Sequence, residues 1–215
     1  MDRKSSQTRR IARNTLMLYV RMLVLMLVGL YTSRVVLDAL GENDFGIYDV
    51  VGGVVAMFTI ISGSLNSAIS RFITFELGKT DGQRLNKVYS TAVLIQLVIA
   101  AVVVSVAEPV GLWFISNEMT IDPSRIPAAR TVLHFSLASF VINMMSVPQM
   151  ASITAHEKMS AYAYIGLLDG FLRLGAAVLI SRSSSDRLVL YAALMTMTVL
   201  LVRMAYGLYC RRYFP

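Results

Sequence analysis

Three stretches of the chain, Val50–Ser70, Val88–Ala107 and Thr131–Ala155, contain no Lys, Arg, Asp or Glu. Each is apolar over the ~20 residues that a helix needs to cross a bilayer core about 30 Å thick. Three further stretches are as apolar but enclose charges. The first holds Arg21 and Arg34, the next Asp169 and Arg173, and the last Arg203. Backbone facing lipid must find its hydrogen bonds within the protein, so only helices and closed barrels cross a membrane. These segments are too long and too little alternating for barrel strands. The pattern predicts an all-α, polytopic membrane helix bundle with six transmembrane helices, at about 14–37, 50–70, 88–107, 128–150, 161–182 and 188–209.

Composition agrees with that reading. Of the 215 residues 56% are hydrophobic and 15% charged, and the mean hydropathy is +0.62. Soluble domains carry about 45–50% apolar and about 25% charged residues, so a soluble enzyme, a disulfide scaffold and a disordered tail are excluded. The single cysteine, Cys210, has no partner for an internal bridge. Residues 1–13 form a basic segment with Arg3, Lys4, Arg9, Arg10 and Arg13. A signal peptide would end its shorter apolar core at a small-residue cleavage site. Here the apolar run continues to Leu37, so an uncleaved first span is expected, within a six-helix lobe over 14–210 and ahead of a short tail at 211–215.

Charge sets the expected orientation. With a cytoplasmic N-terminus, the inner segments 1–13, 71–87, 155–160 and 210–215 hold twelve Lys or Arg. The outer segments 38–49, 108–130 and 181–187 hold four. This is the bias of the positive-inside rule. Both termini are therefore expected to be cytoplasmic, in a bacterial inner membrane. The net charge of +7 is read as a face against anionic membrane lipids. No basic patch interleaved with aromatics suggests nucleic acid.

Enzyme motifs are missing. His156-Glu157-Lys158-Met159-Ser160 opens like a zinc-protease helix but lacks the second histidine. No phosphate-cradling glycine loop occurs, and neither a metal, a cofactor nor a catalytic residue is expected. The polar positions inside the spans are more informative. Thr59, Ser62, Gly63, Asn66 and Ser70 share one face of the second span, and Ser136, Ser139, Asn143 and Ser146 one face of the fourth, with Pro148 just beyond. Such stripes serve close helix packing or line a water-filled cavity, and the sequence leaves both open.

The buried-looking charges differ in depth. Arg34 lies a turn from the outer end of its span and can snorkel to the headgroups. Arg203 is similarly near the inner end. Arg21 is about 10 Å deep at a rise of about 1.5 Å per residue, and Arg173 is near the middle. A central arginine costs about 2.5–3.5 kcal/mol even on mild insertion scales. Asp169 precedes Arg173 by four residues, so the two can pair across one turn. His134 is expected at the interface. We take Arg21, Arg34 and Arg173 as candidate cationic cavity residues for a phosphate or carboxylate group, and Asn66, Asn143 and Asp169 as candidate polar cavity-wall residues.

Several runs resemble a known family. They are Asn14-Thr15-Leu16, Leu30-Tyr31-Thr32-Ser33-Arg34-Val35-Val36-Leu37 and Leu40-Gly41-Glu42-Asn43-Asp44-Phe45-Gly46-Ile47-Tyr48. Ser70-Arg71-Phe72-Ile73-Thr74-Phe75-Glu76-Leu77-Gly78 and Ala155-His156-Glu157-Lys158-Met159 continue the likeness. Together they resemble bacterial polysaccharide exporters, the O-antigen-type flippases of lipid-linked oligosaccharides within the multidrug/oligosaccharidyl-lipid/polysaccharide exporter superfamily. The resemblance implies one six-helix lobe of a two-lobe transporter, the N-terminal one. It implies as partners a polyprenyl-pyrophosphate-linked oligosaccharide and a second lobe, or else a second copy of this chain. A fragment of a longer protein is expected over a dimer of halves. Competing readings are a drug/cation antiporter of the same superfamily, disfavoured because Asp169 is the one acid inside a span and has Arg173 beside it, and a non-transporting membrane protein. Reporter fusions at both ends of the chain should report the same, cytoplasmic side; opposite sides would contradict six crossings.

Overall fold

A computed structural model describes residues 2–77, 82–156, 158–183 and 185–213, with side chains for 15–60, 63–75, 87–156, 158–183 and 185–213. The side chains of the basic segment 1–13, of Ser62 and of Glu157 thus lie outside the described residues. All described elements are helical. They are α1 (Asp2–Ala56), α2 (Thr59–Leu77), α3 (Gly82–Asn117), α4 (Ile126–Met144), α5 (Val147–Ala155), α6 (Met159–Ser181) and α7 (Arg187–Tyr213), with a 3-10 turn at Pro123–Arg125. Among the described residues five segments are long and apolar enough to cross a membrane: Thr15–Ala56, Lys87–Asn117, Pro123–Ala155, Met159–Ser181 and Arg187–Tyr213.

The expected outer loop at 38–49 is instead helix on both sides of one residue. Gly41 has φ 77° and ψ 169°, a conformation open to glycine alone, and it bends α1 into two arms. The bend strands the last carbonyls of the first arm. Arg187 answers one of them, donating from Nη1 to the Ala39 carbonyl at 2.9 Å. Just beyond the bend, Asp44 is buried and accepts two hydrogen bonds from Arg125, one of them from Nε at 2.9 Å. Arg125 also reaches Asp186 at 3.0 Å. Three sequence-distant segments are thereby tied at one end of the bundle, here the apex. Beside them Asp122 caps the 3-10 turn, and its hydrogen bonds from Ser124 hold its carboxyl below the usual carboxylate range.

Contacts fix the direction of each helix. The first arm of α1 runs parallel to α6: Met17 meets Ser160, Arg21 meets Gly166, Leu25 meets Gly170, and Val36 and Ala39 pack with Ala177 and Ile180. α7 returns antiparallel to them, with Arg187 at the apex and Tyr206 packed on Ala161 and Ile165 at the opposite end, the base. α3 climbs to the apex and α4 descends beside it, with Gly111 against Leu133 and Ser116 against Arg130. The largest cluster of buried side chains lies in the apex half. It joins Ile47, Val51 and Val55 of the second arm to Val103, Val132, Leu133, Leu137 and Phe140.

Two of the expected spans are not single helices. The stretch 50–70 is divided between the second arm of α1 and α2, with a turn at Met57 and Phe58. The stretch 128–150 is divided between α4 and α5, with a turn at Met145 and Ser146. Pro148 explains the second break, because it has no N–H to give the Met144 carbonyl and sits where proline is tolerated, in the first turn of α5. The first break has no proline or φ-positive residue. It closes with a tightened bond from Phe58 N–H to the Val55 carbonyl and with Thr59 Oγ1 donating to the Ala56 carbonyl at 2.6 Å. The pieces beyond the breaks pack on each other, Ile69 and Ile73 of α2 against Val147 and Ala151 of α5.

Replacing Gly41 by alanine should cost about 1–3 kcal/mol from backbone strain. The melting temperature in detergent should fall by about 2–4 °C per kcal/mol for a chain of this size. Gly29→Ala, on an open helical position, should not lower it; equal behaviour of the two variants would contradict the bend.

Candidate functional site

The residues next to the two breaks, Ala56 and Thr59 on one side and Asn143 on the other, border a common space. A cavity of about 160 Å³ lies between the second arm of α1, α4 and α7, and Tyr48, Thr59, Ser136, Ser139, Phe140 and Asn143 line it. Phe58, at the first break, meets Phe140 edge-on with ring centroids 6.4 Å apart. Thr59 and Ser139 have spent their hydroxyls, Thr59 on the Ala56 carbonyl and Ser139 on Thr196 of α7 at 2.9 Å. Among the described residues, the side chains of Tyr48, Ser136 and Asn143 make no hydrogen bond. So the two polar stripes divide between the roles the sequence left open: Ser139 and Ser146 serve packing, while Ser136, Asn143 and Thr59 face the cavity.

The polar surface continues toward the base along α2. Thr59, Gly63, Ser64, Ser67, Arg71 and Thr74 are exposed. Ser64, Ser67 and Thr74 turn their hydroxyls back onto carbonyls of their own helix. On the other side of α2 the interior is also polar. Asn66 Oδ1, Ser70 Oγ, Gln149 Oε1 and both amide atoms of Gln96 are buried without a hydrogen-bond partner, and Gln96 is 0% exposed. Each such group costs about 1–3 kcal/mol unless a partner or water reaches it.

A second polar line follows the seam between α1, α6 and α7. Arg21 lies with its guanidinium carbon 4.5 Å above the ring of Tyr162, a cation–π geometry, and presses on the backbone at Gly166. Its Nε is buried without a partner. Tyr206 stands in the field of Arg21, Tyr162 and Asp169. Asp169 then accepts from Arg173 Nε at 2.9 Å, the pairing anticipated from their spacing. Their side chains keep 30% and 42% of their exposure, so the pair is reachable rather than entombed. Tyr48 and Tyr191, with rings 4.7 Å apart, lie next in range of the Arg173 charge. Tyr48 thus joins the charged seam to the cavity.

The candidate residues are therefore distributed unequally. Arg21, Asp169 and Arg173 share the seam, Asn143 lines the cavity, and Asn66 sits in the α2 interior. Arg34 is exposed on the first arm and makes no hydrogen bond or ion pair among the described residues. His134 pairs with Glu108 at 3.3 Å. The role of Arg203 was not legible in the sequence. Its Nη1 is 3.5 Å from the carbonyl of Ile142, at the C-terminal end of α4, where the helix dipole favours a cation. Pro148 was the signal for it, since a break frees carbonyls for a donor from elsewhere. Tyr48, Tyr162 and Tyr206 were missed because a tyrosine in an apolar run reads as bulk. Compared with protein-family models, with curated proteins and with solved structures, the chain matches none.

Gly166→Val should place a side chain in the space of the Arg21 guanidinium and cost about 1–3 kcal/mol by overpacking. In an Arg21→Ala background the same change should be close to neutral, a coupling read from a double-mutant cycle of melting temperatures. Additive effects would show that the two do not meet.

Proposed function

We propose that this chain is one lobe of a membrane transporter that moves an anionic, lipid-linked oligosaccharide between leaflets by alternating access. Support comes first from the seam, in which two arginines are balanced by a single carboxylate. An arginine within a bilayer is costly and marks a substrate or ion path by default. Arg173 is reachable, paired through one nitrogen, and retains N–H groups for a phosphate; a guanidinium recognises such oxygens in bidentate fashion.

The six-crossing topology belongs to this proposal. The second arm of α1 and α2 together form the second crossing, interrupted midway, and α4 and α5 form the fourth. Discontinuous helices beside a binding site are a recurring device of transporters. Here the paired breaks separate an apex block, built on α4 and the second arm, from the α2–α5 pair. Motion of that pair about the two turns would open the cavity to one side at a time. The base carries Arg71, Lys87, Lys158, Arg211 and Arg212 and the apex carries Asp38, Glu42, Glu118, Asp122 and Asp186. By the positive-inside rule the base faces the cytoplasm of a bacterial inner membrane. The likeness to oligosaccharide flippases supplies the cargo, and it is an analogy.

Proteoliposomes carrying a fluorescent polyprenyl-pyrophosphate oligosaccharide test the reading. Arg173→Gln and Arg21→Gln should slow transfer about ten- to hundredfold, the equivalent of about 1.5–3 kcal/mol for a hydrogen bond to a charged group. Arg34→Gln, exposed and unpaired, should leave it within about threefold, as a screened surface charge does. Unchanged transfer with both seam arginines neutralised overturns the proposal.

A further inference from the structure

The cavity at the helix breaks is chemically unlike the arginine seam. No charged side chain lines it. Its lining combines the aromatic residues Tyr48, Phe135 and Phe140 with side chains that make no hydrogen bond among the described residues, the Ser136 hydroxyl, the Asn143 amide and the Tyr48 hydroxyl. Ser136 and Asn143 are seven residues apart on α4, two turns on one face, so their groups point into the same space from successive levels. Unbonded hydroxyl and amide groups are disfavoured against hydrocarbon, and the exposed polar face of α2 leads up to them. This side of the bundle is therefore wet or ligand-covered.

We propose that this cavity binds a neutral six-membered ring carrying hydroxyl groups, one sugar unit of the cargo. A cavity of roughly 150 Å³ admits a bare six-membered ring, benzene; this one, about 160 Å³ and open on one side, takes such a ring with its substituents extending through the opening. The chemistry agrees too. Such a ring has apolar C–H faces that stack on aromatic side chains and hydroxyl edges that both donate and accept. Serine, tyrosine and asparagine side chains can satisfy either role. Water alone would fill the polar side but gain nothing from the aromatic part of the lining. Tyr48 belongs both to this cavity and to the surroundings of Arg173. A sugar here and a phosphate at Arg173 would therefore be neighbours, as they are in a glycosyl phosphate. The assignment rests on the transporter reading for its biological meaning, but binding is measured without transport.

The chain's single cysteine makes the test direct. In a Cys210→Ser background in nanodiscs, Asn143→Cys and, separately, Ser136→Cys are reacted with N-ethylmaleimide, with and without D-glucose or N-acetylglucosamine. Both positions should label far faster than Leu30→Cys on the lipid-facing arm. Sugar should slow them by the factor 1 + [L]/Kd, about threefold at twice the Kd. Inorganic phosphate should not slow them, and Glu118→Cys at the apex should label unprotected. Labelling as slow as at Leu30, labelling that no sugar slows, or protection by phosphate alone would each overturn the site. Sugar protection together with lipid transfer that is unchanged when both seam arginines are neutralised would keep the site and remove the transporter reading.

Discussion

Hydrocarbon offers no hydrogen-bond partner, and every feature of this bundle answers to that constraint. An unbroken helix satisfies its own backbone, which is why apolar arms such as the first arm of α1 can stand against lipid over most of their surface. Where the chain leaves helical geometry, something else must serve the stranded groups. At the bend Arg187 serves the Ala39 carbonyl, at the first break Thr59 serves Ala56, and at the second Arg203 and Ser146 converge on Ile142. The same constraint governs the charges. Asp44 and Arg125 satisfy each other at the apex, Asp169 and Arg173 in the seam, and Arg21 lies on the face of Tyr162.

What is left unsatisfied then becomes informative. The buried amide of Gln96, the open hydroxyl of Ser136 and the amide of Asn143 all lie beside the two breaks or base-ward of them, in the part of the bundle where α2 turns a polar face outward. The apex half, by contrast, is closed by a continuous apolar cluster and pinned by ion pairs. A bundle closed at one end and polar near its middle fits the alternating access proposed for it. The α2–α5 pair joins its neighbours through two smaller apolar clusters, one with Ala92 of α3 and one in which Ile153 meets Ala161, Ile165 and Tyr206.

Much of this was legible in the sequence, and the reasons for the rest are specific. Hydropathy located the helical segments because burial in lipid demands long uncharged runs, and spacing alone paired Asp169 with Arg173. The bend was read as a loop, although Gly41 followed by Glu42, Asn43 and Asp44 is a helix stop joined directly to a helix start. The break at Met57–Phe58 carries no proline or special glycine, so no local signal existed for it. What the structure shows beyond it is tertiary, the packing of α2 on α5. Arg34 was grouped with Arg21 and Arg173 as an arginine inside a span. Beyond its shallower depth, the helix face separates Arg34 from the other two, and that depends on which side of α1 meets α6.

The central claim is that the backbone turns at 57–58 and 145–146 sit in a water-accessible interior rather than against lipid. Hydrogen–deuterium exchange of the full chain in nanodiscs tests it most directly. The account predicts that amides at both turns exchange much faster than those a few residues away in the second arm of α1 and in α4, at a depth where lipid-facing helix is protected. Protection at the turns equal to that of the flanking helix would mean that no water reaches them, and the account would be wrong.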